Sequence, residues 1–273
     1  ACNSQKSEIE FALKEAGKNR GELEAVLSHY TRLNDTFKLK AAQYLIQYMP
    51  YHSSYGTNIR DYYHAIDSVV ALSDDKLEQE KHIKLLQPRF EKRYRKYRDI
   101  ETISANFLIQ SIDTAFKQWQ QGKWAAHLNF DEFCEYLLPY KCFEGQPLED
   151  WRSAYYDICK GDIDKAYLCD DYEQSSFFAA TEVNRQMQEV TPQSFGLLTT
   201  LPIFDPSIIL KLPFAYCSTY CQGCVLTMRS KGIPVAYDFT PHWSNRSNGH
   251  SWNTVYTSRF GNLEFAPHET DPG

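Results

Sequence analysis

Cys217-Ser218-Thr219-Tyr220-Cys221-Gln222-Gly223-Cys224-Val225-Leu226-Thr227-Met228-Arg229-Ser230-Lys231-Gly232-Ile233-Pro234 is the stretch on which the fold turns. It begins soon after Leu212-Pro213, and Cys221, Cys224 and Met228 follow Cys217 at the spacing of one helical face. This pattern predicts a helix from Cys217 to Lys231 and then a strand near Ile233–Phe239. Cys217 therefore sits near a helix start, where free amides and the macrodipole favour an anion. A thiolate is stabilised there, and the same amides can hold an oxyanion on an attacked carbonyl. Farther on, Gly249-His250-Ser251-Trp252-Asn253 leads a second predicted strand, Ser251–Thr257, and puts an imidazole within reach of the sulfur. A turn at Arg259–Asn262 and a third strand near Leu263–Ala266 complete this part. Cys221 and Cys224 read as core packing on the helix stripe.

Upstream, from about Lys6 to Gln188, the periodicity is helical. Leu39, Ala42, Leu45, Ile46 and Met49 form one stripe stopped by Pro50, and Phe107, Leu108, Ile112 and Phe116 form another stopped by Gly122. Asn129 caps a short helix with Asp131 and Glu132 in its first turn, which Pro139 closes. Further helices are expected after Pro147, over Asp162–Cys169 and over Ser175–Gln188. Lys92–Arg98 reads as a solvated helix face. After Val190 the composition changes, with Thr191-Pro192, Leu201-Pro202, Asp205-Pro206 and Leu212-Pro213 marking an irregular approach.

The 273 residues can bury a substantial core, and a net charge of −6 leaves no footprint for nucleic acid. No apolar run is long enough to span a bilayer. Eight cysteines are too few for a disulfide scaffold in a chain of this length. Cys134, Cys142, Cys159 and Cys169 fall among helical patterns, where free Cys behaves as a small buried hydrophobe. Cys217, Cys221 and Cys224 also have iron–sulfur-like spacing, but too little chain follows for the barrel such enzymes need. A zinc site of these thiols with His242, His250 or His268 would need three Cys on consecutive turns to converge. No metal or cofactor is expected.

The quoted helix with its R-x-x-G-I-P turn, followed by Asp238–Arg246 and Gly249–Asn253, resembles the transglutaminase-like core. Phe130–Tyr140 and Trp151-Arg152 make the chain similar to transglutaminase-like proteins of Bacteroidetes that begin with a helical region. The resemblance implies an α+β fold, with a helical region over 1–190 packed on a papain-like cysteine core over 191–273 with a short antiparallel sheet. It implies Cys217 as nucleophile and His250 as base in acyl transfer on a peptide or carboxamide; the resemblance does not choose between water and an amine as acceptor, and an envelope location favours hydrolysis over cross-linking. The competing expectation is a binding or scaffold module that has kept the fold and part of the triad.

The family's third member is usually an Asp soon after the third strand, orienting the imidazole. Leu263–His268 carries none, so Glu269 is the candidate, with Asp271 and Asn262 nearby. Trp243 and Trp252 either line an acyl cleft or pack the sheet, and Tyr216 is a substrate-binding candidate. Alternation puts Asn253 on the strand face opposite His250, in a scaffold role. Ala1-Cys2, followed by a polar run, resembles the processed junction of a bacterial lipoprotein. That implies a lipid on Cys2, a polar tether, membrane attachment and an envelope location. A peptide or protein is the expected partner.

Overall fold

The computed structural model describes residues 2–159, 175–190, 194–195, 214–242, 244, 249–267 and 269–273. The protein is α+β. The helices are α1 (Cys2–Glu15), α2 (Arg20–Arg32), α3 (Thr36–Tyr48), α4 (Arg60–Leu72), α5 (Lys76–Glu91), α6 (Asp99–Thr102), α7 (Ala105–Gln121), α8 (Phe130–Tyr136), α9 (Trp151–Tyr156), α10 (Ser176–Val190) and α11 (Cys217–Ser230). The strands are β1 (Ser53–Tyr55), β2 (Lys96–Arg98), β3 (Ser194–Phe195), β4 (Phe214–Ala215), β5 (Val235–Thr240), β6 (His250–Thr257) and β7 (Gly261–Phe265). β5, β6 and β7 form an antiparallel sheet in that order, β1 pairs antiparallel with β2, and β3 pairs parallel with β4.

Local chemistry sets several boundaries. The Asp35 carboxylate accepts the Lys38 amide at 3.0 Å and opens α3, which ends before Pro50. Ser104 caps α7, and Gly122 terminates it. At α8, Asn129 accepts from the Asp131 and Glu132 amides while the Glu132 side chain accepts the Asn129 amide, a reciprocal box that satisfies free helix donors. α8 ends at Tyr136, a turn before Pro139, where the Leu138 amide bonds to Phe133 O at 2.9 Å, five residues back instead of four.

Three sequence expectations are corrected. The region before Val190 is not all helix, since β1 and β2 pair across it. Lys92–Arg98 is therefore no helix face. α5 stops at Glu91, and Lys96–Arg98 is a strand held by Ser53–Tyr55. A charge-rich run on an edge strand looks the same in composition as one on a helix face, and only the strand partner separates them. The polar Asn3–Ser7 run read as a tether lies inside α1. Asp162–Cys169 lies outside the described residues. No described helix is long and apolar enough to cross a membrane.

The buried side chains fall into three clusters. The first joins α1, α2, α3, α7 and α8, with Tyr30, Ile46, Phe116 and Phe133 fully or nearly fully buried. A second, around Tyr62, Ile83 and Trp151, takes in Leu226 of α11. A third joins α10, α11 and the large sheet through Val183, Cys224, Val225, Met228, Val235, Val255 and Phe265. α11 is thus shared between helical layer and sheet.

Candidate functional site

α11 lies on the sheet and runs in the same direction as β6. At its C-terminal end the Arg229 Nε donates to Val235 O at 2.6 Å, and nearer its start Asn253 Nδ2 donates to Cys221 O at 3.3 Å. The helix stops in a Schellman turn, in which Ile233 N donates to Met228 O at 3.0 Å and Gly232 N to Arg229 O at 3.1 Å. Gly232 has φ +82°, a left-handed conformation that favours glycine, so the Gly-Ile-Pro sequence is what turns the chain from α11 into β5. Gly249 brings the chain back. A Cβ there would stand 2.6 Å from Thr240 O, so only glycine lets β6 begin so close against the end of β5.

Cys217 is the first residue of α11, half-buried, with Tyr216 as an extended N-cap that supplies no side-chain acceptor. No acidic residue lies in that first turn. Burial pushes Cys134 up to about 12 and Cys159 up to about 11, and raises Cys142, Cys221 and Cys224. Cys221 and Cys224 are fully buried, Cys224 lying 3.6 Å from the Met228 sulfur, as the stripe predicts. Cys134, Cys142, Cys159, Cys217, Cys221 and Cys224 are all free. No three metal-binding side chains converge among the described residues.

His250 starts β6 opposite Thr240. Since α11 runs alongside β6, His250 and Cys217 belong to the same end of this layer. Their faces differ. Ser251, Asn253 and Val255 alternate onto the side covered by α11, where Asn253 and Val255 are fully buried. His250 shares the other face with Trp252, their ring centroids 6.3 Å apart. The predicted opposition of Asn253 and His250 is therefore present, and Asn253 is a scaffold residue joining α11 to β5 through Cys221 O and Ala236 O.

On the helix-covered face near Cys217 stands Tyr237, whose hydroxyl pairs with Ser251 Oγ at 2.9 Å. Burial raises its pKa, the Ser251 contact opposes this, and the charges of Cys221 and Cys217 raise it further. Glu269 follows β7 in a turn held by its amide on Ala266 O at 3.0 Å. It is exposed, yet its charge is felt by Tyr220 and Cys221, where burial is the larger cause of a raised pKa. Glu269 thus approaches α11 one turn beyond Cys217. Asp271 is taken up by Asn184 of α10 at 3.0 Å.

Asp238 was not singled out from sequence. It lies directly opposite Trp252 and diagonal to His250 on the same face, a Cβ separation of roughly 7–8 Å for such pairs. Its carboxylate accepts the Thr254 hydroxyl at 2.5 Å. Only the strand register could reveal this neighbour, and register is not written in one strand. Trp252 is half-buried, and its indole N–H is buried without an acceptor among the described residues. Tyr216 is half-buried beside Cys217, whereas Trp243 lies outside the described residues. No family model matches this chain, and no curated protein or solved structure is significantly similar to it.

Proposed function

We propose that this protein is a cysteine-dependent acyl-transfer enzyme with a transglutaminase-like core, acting on a peptide or carboxamide. The observation that carries the reading is the position of Cys217. It is a free, half-exposed thiol at the first residue of a helix whose N-cap makes no side-chain hydrogen bond, at the helix end where the first-turn amides have no intrahelical partner. Its sulfur attacks the carbonyl, the amine leaves with a proton, and a thioester forms. His250 is the base that this reading requires, at the same end of the layer as Cys217 but on the other sheet face, and water then releases the acid. Asp238 is placed on the face of His250, Glu269 on the side of α11. Asp238 is therefore the better orienting carboxylate for the imidazole. Hydrolysis at a bacterial envelope, with a lipid on Cys2, completes the proposal.

The face of His250 favours a second reading, a binding module in which Cys217 has no base. Site-resolved alkylation against pH separates the two. An enzyme labels at Cys217 well below pH 8, and His250→Ala abolishes that early labelling. Unchanged Cys217 labelling in His250→Ala removes the imidazole from the mechanism and leaves the binding module.

A further inference from the structure

A cavity of about 520 Å³ opens between α3, the 139–144 segment and the C-terminal end of α11. Its walls are aromatic, with Tyr44, Tyr48, Tyr51, Tyr140 and Phe143. Arg229 lines it and is only 6% exposed. The guanidinium has five donors, of which one goes to Val235 O at 2.6 Å and another meets the Cys142 sulfur. Among the described residues no carboxylate comes within ion-pair distance of it. Asp238 and Tyr136 act on it only from farther away, and burial raises the pKa of the Cys142 thiol.

The cavity's other charges are already matched. Lys141 directs its three donors to Asp99 at 2.7 Å, Ser53 O at 2.9 Å and Glu144 at 3.2 Å. Tyr140 adds its hydroxyl to Asp99 at 2.8 Å. Glu144 also accepts from the Ser53 amide and hydroxyl and lies 3.5 Å from His52. What remains, among the described residues, is a buried cation with no carboxylate at ion-pair distance, in an aromatic pocket of a size that takes small ligands.

We propose that this cavity binds a small carboxylate with an aromatic or apolar body, its carboxylate on the free Arg229 donors and its body against the tyrosines. A planar carboxylate matches the guanidinium fork, whereas a neutral amide of equal shape leaves the charge unanswered. Arg229 is twelve residues from Cys217, about 18 Å along the helix, so this site is separate from the thiol.

Titration calorimetry with N-acetylphenylalanine and its neutral amide is the test, on the full chain and on Cys217→Ser. The carboxylate should bind at least tenfold tighter than the amide in both proteins. Arg229→Gln should abolish that preference. Should Arg229→Gln fail to fold, Tyr48→Ala, at a half-exposed wall position, should weaken both probes while keeping the carboxylate preference. Equal binding of acid and amide, or no binding of either at millimolar concentration, overturns the proposal. Loss of the preference in Cys217→Ser would place the site at the thiol instead and equally refute it.

Discussion

Replacing Arg152 by Met tests how the helical layer is joined to the C-terminal unit. Arg152 is 3% exposed and begins on α9. Its Nη1 donates to Gln118 Oε1 at 3.0 Å and to Arg229 O at 3.4 Å, while Nη2 donates to Leu137 O and to Pro139 O at 3.1 Å. One cation therefore satisfies acceptors on α7, on α11 and in the chain leaving α8. Burial opposes this, lowering the pKa from 12.5 to about 10, which penalises the charged form by roughly 3 kcal/mol.

Met relieves that penalty and keeps much of the volume, but leaves the acceptors unanswered. Three well-placed bonds to a charged donor at about 1.5–3 kcal/mol each outweigh the relief. The net loss is on the order of 2–5 kcal/mol, in line with removing one partner from a buried charged network. At about 2–4 °C per kcal/mol, the melting temperature should fall by roughly 4–20 °C. Urea unfolding followed by circular dichroism gives the free-energy change directly. A loss under about 1 kcal/mol, or a gain, would refute the view that Arg152 is a structural clamp whose bonds outweigh its burial.

Other outcomes follow from single sites. Cys217→Ser should abolish acyl-transfer or hydrolytic turnover of peptide substrates while moving the melting temperature by under about 2 °C, because Cys217 is only half-buried. Gly232→Ala should cost about 1–2 kcal/mol in denaturant unfolding, since φ +82° disfavours a Cβ that would also meet Gln118 at 3.3 Å. His127 is half-buried, and burial lowers its pKa, with the Tyr256 carbonyl and Glu132 opposing. The unfolded chain therefore binds the proton more readily, so stability should fall as pH drops below about 6.5, a slope that His127→Gln should flatten in melting curves. Tyr140→Phe leaves the buried Asp99 carboxylate one donor short and should cost about 1–3 kcal/mol by the same assay.

Most of the helices and the three strands β5, β6 and β7 were legible in the sequence, and the resemblance it carries implied the α+β class. Periodicity is local. Ser104, Asn129, Gly122 and Gly232 act on neighbours within a turn, so their caps and stops can be read from the chain itself. Cys221, Cys224 and Met228 likewise announce a buried face before any partner is known.

Interactions between distant segments left no such mark. Ser53–Tyr55 finds Lys96–Arg98 more than forty residues later, and a three-residue strand has too little alternation to declare itself. The same limit applies at the candidate site. The residues by themselves determined a thiol at a helix start and an imidazole at a strand start. Tertiary structure alone decided which sheet face α11 covers, that Asp238 shares the face of His250, and that Arg229 is left as a buried cation in an aromatic cavity. The physical reason is that helix and strand periods fix where a side chain lies on its own element, while register and packing fix which other element it meets.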